Sequence, residues 1–324
     1  EFTMAEVSPR RLGKSELEVT PIGLGAMQMS GGKGMFRYFL SAIPSDTQNE
    51  VIRVALESGI NWIDTAEIYG SGASERAVSE GLVAAGISPG DVLITTKWFP
   101  LFKRAKGIQT SAEKSGSRLA PYPIDLYLVH QPMSVSSVES QMNAMADLVD
   151  NEIVRAVGVS NFSKKRMIAA YDALADRGIP LAANQMQWSL THRNIEQDGV
   201  LETAKELGIS IIAYTPLGMG ILTGKLHSEP ERLARMPRFR RSRLKSQLKK
   251  TKPLIDALES IASAHNATAA QVALSWNTNY HGATIVAIPG ASRPIQAEQN
   301  AGAMRVRLTS EEMEYLSNLS LEIQ

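Results

Sequence analysis

The sequence predicts an α/β protein, a (β/α)8 TIM barrel with an N-terminal β-hairpin and an extra C-terminal helix. Eight short runs rich in apolar and β-branched residues alternate with longer amphipathic stretches along its 324 residues. Runs that are apolar throughout are typical of parallel strands covered by helices on both faces. No Gly-x-Gly-x-x-Gly motif follows any run, which favours a closed barrel over an open dinucleotide-binding sheet.

The predicted elements follow one another along the chain. Strands are expected at residues 21–27, 60–66, 91–98, 124–130, 154–160, 182–188, 209–215 and 283–289. Helices are expected at residues 46–59, 74–85, 136–149, 163–177, 195–207 and 253–265, the first with Asp46 as its N-cap. Residues 10–21 have the pattern of two short strands around a Gly-Lys turn, which predicts the hairpin. The terminal helix is expected at residues 309–320. We expect one domain over residues 1–324, with residues 1–4 left by cloning ahead of the native start.

The composition excludes several classes of protein. The 34 basic and 33 acidic residues nearly cancel, so no global field draws the chain to nucleic acid or to a membrane. The absence of cysteine excludes disulfides, thiolate metal sites and cysteine nucleophiles, and it fits a reducing compartment. No stretch reaches the roughly 18 to 20 apolar residues of a membrane span. No signal peptide is recognisable, so we expect a cytoplasmic protein, while an organelle reached by a removed transit peptide stays open.

Polar residues end several of the predicted strands, and the carboxyl ends of barrel strands share the functional face. Three neighbouring strands end in Asp64, Lys97 and His130. Each alone has a structural explanation, since a lysine at a strand end usually reaches solvent and a histidine is more often a core residue than a catalyst. Three such residues on adjacent strands are hard to explain by chance. The following strands end in or beside Ser160, Asn161, Gln185 and Tyr214.

The first three strand-end residues predict a proton donor. A buried carboxylate is costly unless it is paired, so we expect Lys97 to pair with Asp64. If Lys97 also faces the hydroxyl of Tyr69, its charge stabilises the phenolate and lowers a pKa that is ordinarily about 10. Tyr69 would then serve as a general acid, while His130 orients a carbonyl oxygen. No metal-binding motif is present, so we expect no metal and look to a cofactor for the rest of the chemistry.

Successive blocks of the sequence are "NWIDTAEIYG", "LITTKW", "DLYLVHQP", "VRAVGVSNFS", "NQMQWSL", "YTPLGMGILTGK" and "IPGASRPIQAEQN". In this order, from about residue 10 to residue 319, the chain resembles the aldo-keto reductase family. The resemblance implies a nicotinamide-dependent carbonyl reductase on a (β/α)8 barrel. It also implies a catalytic tetrad of Asp64, Tyr69, Lys97 and His130, in which Tyr69 donates the proton.

The same resemblance implies NADP(H) as the cofactor. Ser160, Asn161 and Gln185 match positions that hold the nicotinamide carboxamide, and Tyr214 matches the aromatic residue beneath the ring. The loop around the pyrophosphate is matched by Thr215, Pro216, Leu217, Gly218, Gly220 and Lys225. The segment around the adenine and the 2′-phosphate is matched by Gly290, Ser292, Arg293, Gln296, Gln299 and Asn300. An exposed arginine in a Gly-Ser turn at the head of a helix is also a suitable phosphate clamp on physical grounds.

Three features depart from the family pattern or need separate explanation. Gln299 stands where many relatives have a glutamate. The family pattern Ser-Leu-x-Arg-Leu is expected in the helix before the fourth strand. This chain has "SGSRLAPYPIDLY" there, in which Gly116 weakens the end of that helix. The basic run at 238–250 is either the start of a solvated helix or a clasp over the cofactor, with Arg240 as the best candidate for a phosphate contact. The near-zero net charge disfavours nucleic acid as its partner.

The substrate is predicted only as a small carbonyl compound. Trp98 and Met27 are expected to line its pocket, and Phe36, Tyr38 and Phe39 form either an aromatic wall or loop packing. An NADP-sensing regulatory subunit, like the potassium-channel β subunits of the same family, is the alternative to a reductase. Such subunits often replace the histidine, so His130 favours catalysis. A barrel hydrolase is disfavoured because metal ligands and a nucleophile elbow are missing.

Overall fold

The computed structural model describes residues 7–31, 42–229, 231 and 238–324, without the side chains of 238–240 and 242–244. A two-stranded antiparallel hairpin comes first, formed by β1 (Arg10–Arg11) and β2 (Glu18–Val19). An eight-stranded sheet follows, in which all strands are parallel and lie in chain order. Its strands are β3 (Leu24–Gly25), β4 (Trp62–Asp64), β5 (Leu93–Trp98), β6 (Ile124–Val129), β7 (Val154–Ser160), β8 (Leu181–Gln187), β9 (Ser210–Tyr214) and β10 (Ile285–Ala287).

The sheet closes on itself, because its first and last strands are hydrogen-bonded. Gly23 N donates to Ala287 O at 2.8 Å, and Gly25 N donates to Pro289 O at 3.1 Å. In the other direction, Ala287 N donates to Pro21 O at 2.9 Å. The predicted (β/α)8 barrel is therefore confirmed, with each strand falling inside or overlapping its predicted range.

Helices surround the barrel. They are α1 (Ser45–Glu57), α2 (Ala73–Ala84), α3 (Ile108–Leu119), α4 (Val138–Asp150), α5 (Lys164–Ala175), α6 (Asn194–Gln197), α7 (Val200–Leu207), α8 (Lys225–Ser228), α9 (Arg238–Ala264), α10 (Ala269–Asn279), α11 (Pro294–Gly302) and α12 (Ser310–Leu321). No helix in the described part of the chain is both long and apolar enough to cross a membrane.

Several helix boundaries differ from the predicted ones. The first helix begins at Ser45 after Pro44, so Asp46 lies in the first turn and does not cap it. The stretch at 195–207 is split into α6 and α7, since Gly199 has a φ of +77° between them. α9 begins at Arg238 and continues through Pro253, so the basic run forms the start of a helix. α3 continues through Gly116, and α10 was not predicted.

The hairpin fills the amino end of the barrel. Leu12, Leu17 and Val19 are each at most 2% exposed and form one apolar cluster with barrel residues that include Trp62 and Leu126. The indole Nε1 of Trp62 also donates to Thr20 O at 2.9 Å. The predicted hairpin is thus confirmed as the closure of this end.

The C-terminal helix α12 is also confirmed. Thr309 and Glu312 form a capping box at its start, in which each side chain accepts from the other residue's backbone N–H. On the barrel side, the guanidinium of Arg193 donates to the backbone and hydroxyl oxygens of Ser317. Arg193 is only 3% exposed and lies over the aromatic rings of Trp188 and Trp276.

Candidate active site

The carboxyl ends of the barrel strands bring the predicted polar residues to one face. Asp64 ends β4, Lys97 is the second-last residue of β5, and His130 directly follows β6. The next three strands end in or near Ser160, Gln185 and Tyr214. Because the strands are all parallel, their carboxyl ends lie on the same side of the barrel, and so do these side chains.

An ion pair between Asp64 and Lys97 lies at the centre of this face. Lys97 Nζ is 2.6 Å from Asp64 Oδ1 and donates to Thr65 O at 2.7 Å. The other carboxylate oxygen, Oδ2, accepts from Gln185 Nε2 at 2.9 Å. The side chains of Lys97 and Asp64 are 0% and 2% exposed. Asp64 therefore has the buried partner that its position in the sequence requires.

Burial and pairing act in opposite directions on the two charges. Burial raises the pKa of Asp64, while the charge and hydrogen bonds of Lys97 and Gln185 oppose the rise. Burial alone would lower the pKa of Lys97, but Asp64 and Tyr69 raise it above its usual value. The short contact between the two groups favours the charged pair, with Lys97 remaining a cation at neutral pH.

Tyr69 lies on the loop between β4 and α2, beside the lysine. Lys97 Nζ is 5.0 Å from the centroid of the Tyr69 ring, and a side-chain hydrogen bond joins the two residues. Burial raises the pKa of Tyr69 more than the charge of Lys97 lowers it, and the charge of Asp64 adds to the rise. The predicted lowering of this pKa is therefore wrong for the protein alone. The loss of water around the phenol raises the pKa more than the charge of Lys97 lowers it. The phenol keeps its proton at neutral pH.

His130 stands with its ring against two aromatic neighbours. The ring centroids of His130 and Tyr69 are 5.6 Å apart, and those of His130 and Phe99 are 5.8 Å apart, both in edge-on geometry. Burial, with a smaller contribution from the charge of Lys97, lowers the pKa of His130 to about 3. Among the described residues, its buried Nδ1 has no hydrogen-bond partner. The imidazole is therefore neutral at physiological pH and can orient a polar atom without adding charge.

The remaining strand-end residues form a chain of hydrogen bonds that leads to Asp64. The hydroxyl of Tyr214 donates to Asn161 Oδ1 at 2.9 Å, and Asn161 Nδ2 donates to Ser160 Oγ at 3.0 Å. Ser160 Oγ donates to Gln185 O at 2.9 Å, and the amide of Gln185 reaches Asp64. Asn161 adopts a φ of +60°, and its Nδ2 also donates to His130 O at 3.3 Å. These four residues thus hold one another in place around the ion pair.

A cleft of about 480 Å³ opens beside the loops that follow β9 and β10. Eight of the predicted cofactor residues line it, namely Leu217, Gly220, Lys225, Gly290, Arg293, Gln296, Gln299 and Asn300. Ser292 lies next to it and donates from both its N–H and its hydroxyl to Gln296 Oε1. Thr215, Pro216 and Gly218 belong to the adjoining loop and do not line the cleft.

Five lining residues were not predicted. They are Met219, Thr223, Leu226, Thr268 and Ala270. Met219 and Thr223 lie between predicted residues of one loop and Leu226 directly follows the predicted Lys225, so their position in the sequence was an available signal. Thr268 and Ala270 come from the start of α10, which is remote in sequence, and no local pattern indicates that they reach the cleft.

The cleft suits an anionic, phosphate-bearing cofactor. Arg293 is exposed at the N-cap of α11, and neither its side chain nor that of Lys225 has an ion pair or hydrogen bond within the described residues. Three successive residues, Gly218, Met219 and Gly220, have φ values of +57°, +55° and +93°. These angles fold the loop back on itself, with Gly218 N donating to Thr215 O at 3.0 Å and Gly220 N donating to Leu217 O at 2.9 Å, so the charges of Arg293 and Lys225 provide the phosphate donors. The donor set therefore fits NADP(H).

Trp98 does not line the substrate pocket, and that prediction was wrong. The indole is 0% exposed and belongs to the main apolar core between the strands and the helices. Neighbouring residues of a strand point to opposite faces, so a lysine that faces the barrel interior places the next residue outward. This alternation is visible in the sequence, and it predicts that Trp98 points away from the barrel interior once Lys97 is placed inside.

Some predicted residues have no described side chain. Phe36, Tyr38 and Phe39 lie in the segment 32–41, outside the described residues. Arg240 falls within α9, but its side chain is among those not described. Met27 begins a short 3-10 helix after β3 and is half-buried, so its predicted contact with substrate remains a prediction.

The sequence model of the Aldo/keto reductase family matches residues 21–320. An uncharacterized oxidoreductase of Mycobacterium bovis is 35% identical over 306 residues, which cover 93% of this chain and 89% of that protein. A probable aldo-keto reductase of Glycine max is 30% identical over 325 residues, covering 96% of this chain and 88% of that protein. The solved structure of an aldo-keto reductase from Klebsiella pneumoniae in complex with NADPH is similar with a TM-score of 0.73 and 25% identity, and covers 97% of this chain and 95% of the other. The chain therefore belongs to the aldo/keto reductase family.

Proposed function

We propose that this protein acts as a single barrel domain that uses NADPH to reduce an aldehyde or ketone to an alcohol, with Tyr69 as the general acid. The observation that carries the proposal is the contact between the buried phenol of Tyr69 and the ammonium of Lys97, which is itself paired with Asp64 at 2.6 Å. A phenol beside a fixed cation can release a proton to a nearby oxygen, because the cation stabilises the phenolate that forms.

Bound NADPH would supply the hydride that reaches the carbonyl carbon. The chain itself would hold and move the proton. Since the pKa of Tyr69 is raised, the phenol is protonated before reaction and ready to donate to the carbonyl oxygen. Lys97 then faces the phenolate, and Asp64 keeps the ammonium at that place.

His130 would orient the carbonyl oxygen toward Tyr69. With a pKa of about 3 it remains neutral, so it offers a hydrogen bond but no competing acidic proton. The edge of its ring lies against Tyr69, with the centroids 5.6 Å apart. A polar oxygen placed between the two side chains would therefore meet both donors.

The cofactor residues are assigned by the same reasoning. The linked side chains of Ser160, Asn161, Gln185 and Tyr214 lie around the ion pair, where the nicotinamide must approach Tyr69. Lys225 and Arg293 would hold the phosphates in the cleft. The absence of cysteine supports a reducing compartment, and we propose the cytoplasm and a small-molecule carbonyl substrate.

The test compares Tyr69→Phe with Tyr315→Phe, which removes a hydroxyl from an exposed tyrosine on α12. NADPH oxidation is followed with a panel of aromatic, aliphatic and sugar carbonyl compounds, and NADPH binding by quenching of tryptophan fluorescence. We expect Tyr69→Phe to lose roughly 10²- to 10⁴-fold in turnover while it still binds NADPH. Tyr315→Phe should match the wild type. Full turnover by Tyr69→Phe would refute the role of the phenol.

A further inference from the structure

The turn that follows Tyr69 has an unusual backbone. Gly70, Ser71 and Gly72 are three consecutive residues in the left-handed region, with φ values of +62°, +55° and +83°. A left-handed conformation is unfavourable for serine, so such a turn persists only where its surroundings impose it. Because the turn begins at the residue after Tyr69, its shape determines where the phenol lies.

The surroundings of the turn are a backbone carbonyl on one side and an arginine on the other. A Cβ added to Gly70 would lie 2.3 Å from Ser30 O. A Cβ added to Gly72 would lie 2.5 Å from both Cδ and Nε of Arg118. The side chain of Arg118 is therefore in direct contact with the last residue of the turn, at a place where only glycine fits.

Arg118 is itself held by a buried carboxylate. Its Nε lies 2.5 Å from Glu75 Oε2, and the side chain of Glu75 is 0% exposed. The other oxygen of Glu75 accepts from Thr96 Oγ1 at 2.7 Å, and Thr96 precedes Lys97 on β5. A second contact, from Arg118 to Ser115 Oγ at 3.1 Å, orients the guanidinium. The turn after Tyr69 is thus connected through two side chains to the strand that carries Lys97.

We propose that Arg118 is a positioning residue, which with Glu75 fixes the turn at 70–72 and so holds the Tyr69 phenol at Lys97. Arg118 contacts neither end of the ion pair, and it acts through the turn. The proposal rests on the proposed function of Tyr69 as the proton donor. Arg118 is the arginine of the "SGSRL" stretch, and none of the catalytic or cofactor-binding roles proposed above involves it.

The test compares Arg118→Ala with Arg155→Ala. Arg155 also pairs with a buried carboxylate, at 2.8 Å from Asp125, which is 1% exposed, but this pair lies at the amino end of the barrel. Both variants are expected to be less stable. Arg118→Ala should lose roughly 10- to 100-fold in kcat, since a small misplacement of a catalytic group has effects of that size. Its KM for the carbonyl compound and its Kd for NADPH should stay near those of the wild type, whereas Arg155→Ala should keep its kcat.

Two further measurements separate positioning from general destabilisation. Millimolar guanidinium, well below denaturing concentrations, should partly restore the kcat of Arg118→Ala and leave Arg155→Ala unchanged. Gly72→Ala disturbs the same contact from the side of the turn and provides a second variant if Arg118→Ala does not fold. Because both changes act on one contact, the fold-loss of kcat in the double variant should be smaller than the product of the fold-losses in the two single variants.

The outcomes distinguish this inference from the proposed function. If Tyr69→Phe is inactive but Arg118→Ala and Gly72→Ala both turn over like the wild type, positioning by Arg118 is refuted and the proton donor stands. Equal losses of kcat in Arg118→Ala and Arg155→Ala, without rescue by guanidinium, also refute it. Full activity of Tyr69→Phe refutes the proposed function itself, whatever Arg118→Ala does.

Discussion

The two ends of the barrel bury different kinds of side chain. At the carboxyl end, Asp64, Lys97 and Tyr69 are all at most 9% exposed, and they lie beside a left-handed turn. At the amino end, the hairpin packs Leu12 and Leu17 into the apolar interior. The difference indicates that the amino end contributes stability, whereas the carboxyl end holds polar groups whose burial is costly and useful only for chemistry.

Ion pairs at the two ends differ in the same way. Arg155, which pairs with Asp125 near the amino end, is 51% exposed, so its charge keeps contact with water. Lys97 is 0% exposed and has exchanged water for Asp64, Thr65 O and Tyr69. A lysine that only served stability would gain by reaching solvent, as lysines at strand ends usually do. Its complete burial supports a role in tuning the phenol.

The largest expected effect is that of Lys97→Met at the carboxyl end. Among the described residues it leaves the buried Asp64 carboxylate with only Gln185 as a side-chain partner, which should lower the free energy of unfolding by about 3 to 5 kcal/mol. Turnover should also be lost. Urea unfolding measures the first effect, with Arg155→Ala as the control that should cost less. A Lys97→Met protein as stable as the wild type would contradict the contrast between the ends.

Leu17→Ala tests the amino end. Leu17 is 2% exposed in the inner cluster, so truncation leaves a cavity and should lower the free energy of unfolding by roughly 2 to 5 kcal/mol. We expect kcat and KM, measured well below the melting temperature, to remain within about twofold of the wild type, because this face carries stability rather than chemistry. A large loss of kcat in a folded Leu17→Ala protein would show that the two ends are coupled.

His130 should make the carboxyl end sensitive to acid. Its pKa is about 3 in the folded protein against 6.5 ordinarily, so between these values the unfolded chain binds more protons. The free energy of unfolding must then fall as the pH falls, by about 2 kcal/mol at pH 5 from this group alone. His130→Gln removes that dependence. Urea unfolding of both proteins from pH 5 to pH 8 measures the difference, and parallel curves would exclude the lowered pKa.

Arg293→Ala should have the smallest effect, confined to binding at the carboxyl end. Loss of a charge-assisted hydrogen bond to the 2′-phosphate should weaken NADPH binding by about 1.5 kcal/mol, or roughly tenfold. NADH lacks this phosphate, so its affinity should not change. Fluorescence titration measures both, with the exposed Arg166→Ala on α5 as the control. Equal weakening of the two nucleotides would assign Arg293 to another part of the cofactor.

The amino-acid sequence alone was sufficient to predict the barrel and the shared face of Asp64, Lys97 and His130. Alternating apolar runs and amphipathic stretches predict strands and helices locally, and the carboxyl ends of parallel strands must share one face. Asp64, Lys97 and His130 could therefore be brought together without coordinates. The pairing of Lys97 with Asp64 followed from the cost of an unpaired buried carboxylate.

Properties that depend on the sum of distant neighbours followed only from the packed molecule. The pKa of Tyr69 is raised rather than lowered because burial outweighs the lysine, and burial is a property of the whole packed molecule. The reach of Thr268 and Ala270 to the cleft depends on how α10 packs. The contact of Arg118 with Gly72 joins residues of two different β/α units. Sequence patterns report which face a residue takes on its own element, but not which remote side chain meets it there.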